Sequence, residues 1–388
     1  MRKQPQRFSV FNRQSPAVPF ALEPNRLGAD RTPARRGRMG KDLIAQTRHV
    51  LNGLGLTHLP RGVPILCFCL LIPGCQTVRQ YWADRRMNRG KVFMADQLLE
   101  AALDEFEAAA RLAPLSAKPH SRMGAIYRRM GEYEKAITSF VEAARRDPLS
   151  FSDTFNLAQL YYLMQRVQEA IQTYLHAVEL QPEDFDAQLN LGVCYQQIGD
   201  YDQAIERFEK AITLEPNRSH AYVNLGVALD AKQRYYEAVR AYKEALERDN
   251  RQPQVFLNLA RTYISQDRLK VAEGVLRSAL HLDPQLASAH EALGYCLFRM
   301  REFDDAESAY RTALANDWRL PRAHAGLGSI FMLRFLEDET QVEGRDRALE
   351  HWHRSLELDP EQPRIRELIA KYRPKQTSPE EVLLESSP

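Results

Sequence analysis

From residue 83 onward the small and apolar positions of the chain return at an interval of 34 residues. With repeats starting at 83, 117, 151, 185, 219, 253, 287 and 321, the eighth position is always small: Gly90, Gly124, Ala158, Gly192, Gly226, Ala260, Gly294 and Gly328. The twentieth is alanine from Ala102 to Ala306, and Ala348 once an eight-residue insertion in the last repeat is allowed for. The twenty-fourth is bulky: Phe106, Phe140, Tyr174, Phe208, Tyr242, Leu276, Tyr310 and Trp352. The eleventh is aromatic or leucine, as in Tyr127, Tyr195 and Leu229, and prolines such as Pro114, Pro148 and Pro216 close most repeats. A unit of this length cannot bury its own apolar face. The pattern therefore predicts two antiparallel helices per unit, small residues where backbones approach, large ones where neighbours pack, and proline stopping the second helix.

The stretch Phe185–Tyr195, with Leu189, Leu191, Gly192 and Tyr195, followed by Gly199, Asp200, Tyr201 and Ala204, resembles the tetratricopeptide repeat consensus. The resemblance covers eight units from residue 83 to about 362. It implies an all-α fold, a right-handed α-solenoid of helix-turn-helix repeats. The end repeats depart most, as expected where one face lacks a neighbour: Arg89 and Phe93 replace the usual Leu and Tyr in the first, and Glu337–Gly344 is inserted in the last. Ile365, Leu368, Ile369 and Tyr372 recur at helical spacing among charges, so residues 363–373 read as a cap helix, with 374–388 a loose tail.

Ahead of the array the chain changes character. Residues 1–60 are rich in Pro, Gly and Arg without a sustained apolar period and read as a disordered basic extension. Residues 61–75 hold an apolar run from Val63 to Ile72, short of the roughly 20 residues a spanning helix needs but of signal-peptide length. Its end, Leu71-Ile72-Pro73-Gly74-Cys75, resembles the lipobox of bacterial lipoproteins, which would make Cys75 the lipid-attachment residue. Pro73 is atypical there and the box lies deep, so Met39 is the start that would give a leader of ordinary length. The alternative is a short buried capping segment in a cytoplasmic protein. The array itself begins at 76 on this division and runs to 362.

Charge narrows the function. The chain carries 53 Lys plus Arg against 51 Asp plus Glu, but residues 1–38 are net +7, 39–75 net +2, and everything from 76 onward net −7. A mildly acidic array lacks the basic stripe that nucleic-acid binding requires. No GxGxxG, phosphate-binding Gly-Lys loop, GxSxG or HExxH occurs, and no cofactor or metal is expected. His351 and His353 flank Trp352 but point to opposite sides of a helix, and Cys194 and Cys296 are expected to be buried apolar residues.

The remaining signal is the sixth position: Asn88, Arg122, Asn156, Asn190, Asn224, Asn258, Ala292 and Gly326. In the family fold, first helices line the inner wall and this position faces it. Carboxamides both donate and accept, so a row of them can pair with the backbone of an extended peptide whatever its side chains. The row resembles the asparagine ladder in the repeat superhelix of O-linked N-acetylglucosamine transferases. Separately, Asn88, Lys118, Arg122 and Asn156 resemble part of the carboxylate clamp of chaperone-binding relatives, with Arg128 and Arg129 nearby. The expected function is a non-catalytic scaffold that binds partner segments and is lipid-tethered to a bacterial envelope membrane, where it aids assembly of an envelope or secretion complex. The alternatives are a substrate-selecting subunit of a protein glycosyltransferase and a cytosolic co-chaperone for acidic C-termini. Oligomeric state and partner identity are not legible.

Overall fold

The computed structural model describes residues 74–340 and 342–373. The basic extension, the apolar run and the tail after 373 lie outside them, as does the lipobox up to Pro73. Gly74 and Cys75 open the first helix. The described residues divide into two bodies, 74–180 and 181–373.

The first body holds α1 (Gly74–Ala95), α2 (Leu99–Leu112), α3 (Lys118–Met130), α4 (Tyr133–Arg146), α5 (Phe151–Leu163) and α6 (Val167–Leu180). The second holds α7 (Phe185–Gln197), α8 (Tyr201–Leu214), α9 (Ser219–Ala231), α10 (Tyr235–Arg248), α11 (Pro253–Ser265) and α12 (Leu269–Leu282). It continues through α13 (Ala287–Arg299), α14 (Phe303–Asn316), α15 (Pro321–Glu337), α16 (Val342–Leu358) and α17 (Pro363–Tyr372). No strand occurs among the described residues. Each repeat is one helix pair, and the eight-residue insertion is absorbed mostly as helix, so that α15 and α16 each reach 17 residues. The chain is an all-α solenoid.

Small eighth and bulky twenty-fourth positions meet within each pair. A Cβ built on Gly192 would stand 2.6 Å from Phe208 Cε1, and the same approach holds between Gly90 and Phe106, Gly124 and Phe140, Gly226 and Tyr242, and Gly294 and Tyr310. In the last repeat, Gly328 faces Trp352 across the insertion. The ring lies where a side chain would otherwise be, so the second helix packs at glycine distance and the aromatic is completely buried.

The turn inside each of the first seven repeats is a left-handed C-cap. The fifteenth position has positive φ in seven repeats, yet only two of these residues are glycine, Gly131 (78°) and Gly199 (82°). The others are Gln97, Gln165, Gln233, Asp267 and Arg301. The N–H that follows donates back to the carbonyl of the eleventh residue: Glu132 to Tyr127 at 2.9 Å, Asp200 to Tyr195 at 3.0 Å, Arg268 to Tyr263 at 2.9 Å. This six-to-one bond ties off the first helix and fixes the angle of the second.

Consecutive repeats within a body are joined through the closing turns. Arg146 Nε donates to the Pro114 carbonyl at 2.8 Å in the first body, and Arg248 Nε to the Pro216 carbonyl at 2.5 Å in the second. Tyr127 packs against both the Leu103–Phe106–Ile126 cluster and the Ile137–Phe140–Leu160 cluster, the place between repeats that the eleventh position was expected to fill.

Candidate functional site

The sixth position lies at a different depth in the two bodies. In the first, Asn88 on α1 and Lys118 on α3 are exposed, and Arg122 and Asn156 are half-buried. Asn156 is satisfied locally: its Nδ2 donates to the Ser152 carbonyl at 2.7 Å, and its Oδ1 accepts from Arg128 at 2.7 Å. Arg128 also donates to Gln159 Oε1 at 3.2 Å, and Arg129 donates to Gln97. Asp153 accepts from Ser121 Oγ at 2.7 Å and Ser150 Oγ at 2.9 Å, and burial raises its carboxyl above the usual range. Arg128 and Arg129, the charges near the clamp-like residues, thus already have partners for their guanidinium groups.

In the second body the same register is enclosed. Asn190, Asn224 and Asn258 retain only 9%, 3% and 4% of their exposure. The Oδ1 atoms of Asn224 and Asn258, on successive first helices α9 and α11, accept no hydrogen bond from any described residue. A buried carbonyl oxygen left unpaired costs about 1–3 kcal/mol, and two in successive repeats make a repeated, not an accidental, feature. The row gives way to Ala292 and then Gly326; in the last repeat a Cβ on Gly326 would lie 2.3 Å from Tyr310 Cζ, which leaves no room there for a side chain.

Further unpaired polar atoms lie on or beside these first helices. Gln188 Oε1 and Gln196 Oε1 on α7, Asp230 Oδ1 on α9 and both amide atoms of Gln266 just past α11 are buried without partners. Burial pushes the Asp230 carboxyl up to about 6, with Thr262 and the Arg261 charge pulling the other way. Burial likewise raises Glu291 on α13 against Arg322 and Arg261, and lowers the Arg261 guanidinium. Asp230, Arg261, Glu291 and Arg322 alternate in sign along α9, α11, α13 and α15. Neither Asp230 and Arg261 nor Arg261 and Glu291 approach to the 4.0 Å of an ion pair.

Among the described residues no three His, Cys, Asp or Glu side chains converge as metal ligands would. Cys194 and Cys296 are free, buried thiols, each pushed up to about 12 by burial and so unreactive. A pairing that the sequence did not suggest occurs in the last repeat, where His324 Nδ1 and His351 Nδ1 are 3.1 Å apart and the His351 ring stacks on Phe331.

A profile described as the C-terminal domain of cilia and flagella-associated protein 70 matches residues 153–329, and the tetratricopeptide repeat profile matches 117–150. No curated protein matches the sequence. Among solved structures, the chain is similar to the C-terminal part of a TPR repeat-containing protein from Cytophaga hutchinsonii, at 19% identity and a TM-score of 0.53 over 62% of this chain and 99% of that one. It is similar to the Cut9–Hcn1 hetero-tetramer of the APC/C at 15% identity and a TM-score of 0.51, over 78% of this chain and 60% of that one. It is also similar to MamA at 26% identity and a TM-score of 0.42, over 44% of this chain and 92% of that one. The chain is built of tetratricopeptide repeats.

Proposed function

We propose that the chain is a non-catalytic scaffold that holds extended segments of partner proteins against the first helices of its second body, with Asn190, Asn224 and Asn258 as the central contacts. The observation that carries this reading is the recurrence of asparagine at one register of the successive first helices α7, α9 and α11, with the Asn224 and Asn258 carboxamides not fully paired by the described residues. Successive backbone N–H groups of an extended chain supply the donors such a row requires, independent of side-chain sequence. Asn88, Lys118, Arg122 and Asn156 form a separate, more open polar edge on the first body. In this reading the protein is fixed to an envelope membrane through Cys75, and it brings components of an envelope or secretion complex together.

Crosslinking the full chain in membrane fractions and mapping the linked residues tests the site. Crosslinks concentrated on α7, α9 and α11 support it. Crosslinks confined to the second helices of the repeats would place the partner elsewhere. Mass spectrometry of the mature N-terminus tests the tether: a lipid-modified Cys75 as first residue supports it, and an intact segment before Cys75 removes it.

A further inference from the structure

The first helix differs from every other first helix in length, and it is basic. α1 runs for 22 residues, against 13 in α3, α5, α7, α9, α11 and α13. Within Gly74–Ala95 stand Arg79, Arg85, Arg86, Arg89 and Lys91 against a single acid, Asp84, while the chain from 76 onward is net −7. Arg86 and Arg89 are both tied to Glu105 on α2, at 3.2 and 3.1 Å. Arg79 and Arg85 are exposed and form no ion pair with a described residue.

Between these cations lie two large exposed rings. Tyr81 and Trp82 are 42% and 46% exposed, meet edge to face at 5.8 Å, and Arg85 lies 5.3 Å over the Trp82 ring. Val92, 58% exposed, extends the same sector of the helix, which borders a shallow depression of about 410 Å³ lined also by Asp84, Asn88 and Arg89. The counterpart of Asn88 in the last repeat, Gly326, is covered by Tyr310 of the repeat before it.

We infer that this face of α1 docks on the anionic headgroup layer of a lipid bilayer, with Tyr81 and Trp82 seated at the interface and Arg79 and Arg85 on the headgroup charges. Amphipathic rings favour the boundary between hydrocarbon and water, and unpaired guanidinium groups beside them meet anionic lipid. Position along the chain favours a bilayer over other anionic partners. The most apolar run, Val63–Ile72, ends one residue before α1, and Cys75 is two helical turns ahead of Trp82. Among the described residues no helix is long and apolar enough to cross a membrane, so α1 would lie on the surface. The inference deepens the tether reading, but the contact it names does not require lipid on Cys75.

The test uses the full chain carrying Cys75→Ser, which removes lipidation from the measurement, and vesicles of phosphatidylcholine with or without phosphatidylglycerol. Sedimentation with the anionic vesicles should exceed that with neutral ones by about tenfold and be lost at high salt. Arg79→Glu with Arg85→Glu should cut the difference severalfold with an unchanged melting transition, the remainder coming from the basic residues before Cys75. Brominated lipid should quench an emission component that Trp82→Phe removes, separating this contact from insertion of the apolar run. Equal sedimentation of the charge-reversed chain, unquenched Trp82, tighter binding to single-stranded oligonucleotide than to anionic vesicles, or self-association through Trp82 would each overturn the inference. A chain that passes here but lacks a lipid on Cys75 in cells would lose the tether and keep the docking face.

Discussion

The Phe208 ring occupies the space of a Gly192 side chain, its Cε1 2.6 Å from where a Cβ would stand. Gly192→Ala should therefore force α7 and α8 apart or drive the ring off its rotamer, lowering stability by about 1–3 kcal/mol. Gly274, inside α12, has nothing within 4 Å of its own added Cβ. The same substitution there should raise stability by about 0.4–1 kcal/mol, because alanine favours helix and restricts the unfolded chain. Urea unfolding of the two variants checks both signs.

The imidazoles of His324 and His351 make a pH-sensitive joint between α15 and α16. His324 Nε2 lies 3.1 Å from the Trp318 carbonyl, which only accepts, so Nε2 carries the proton and Nδ1 is bare toward His351 Nδ1. The 5.4 Å centroid separation is what two rings meeting head-on across a 3.1 Å N···N contact give, so one proton is shared and a metal chelate does not fit. Burial lowers both histidines below 6.5, with Arg354 acting on His324, and on His351 the charges of His324, Arg311, Glu307 and Glu350. The folded state thus binds protons less tightly than the unfolded one. Stability should fall as pH drops through and below 6.5, and His351→Leu should flatten that dependence, as read by melting between pH 7.5 and 5.

Asp230 has the opposite sign. Its folded carboxyl is raised from 3.8 to about 6 by burial, so the folded state favours the protonated form. The contribution it makes is complete below pH 3.8 and is lost as pH rises through 6, leaving a charged, partly enclosed carboxylate at neutral pH. Asp230→Asn should therefore stabilise the chain by about 1–3 kcal/mol at pH 7.5 and by little at pH 4, in denaturant melts at the two values.

The helix pairs were legible because burial repeats with them: each Gly or Ala at the eighth position and each ring at the twenty-fourth reports the same contact. What sequence periodicity missed lies off that register. Asp230, Arg261, Glu291 and Arg322 are spaced by 31, 30 and 31 residues, so a 34-residue comparison never aligns them. His324 and His351 are separated by the insertion that also shifts Trp352. The left-handed turns gave little glycine signal, since Gln97, Gln165, Gln233, Asp267 and Arg301 adopt them too. Recurrence of Asn190, Asn224 and Asn258 was visible, but their enclosure was not, because it depends on neighbouring helices. The change to Gly326 in the last repeat follows from the Tyr310 ring, a contact no sequence comparison displays.

The central claim is that Asn224 and Asn258 are kept for a partner and not for the fold. Titrating the partner segment recovered by crosslinking into the full chain and into Asn224→Ala/Asn258→Ala, alongside melting of both proteins, tests it most directly. Loss of two hydrogen bonds should weaken binding by about tenfold or more, while removal of two unpaired buried oxygens should leave the melting transition unchanged or higher. Undiminished affinity, or a fall in stability matching the fall in affinity, would contradict it.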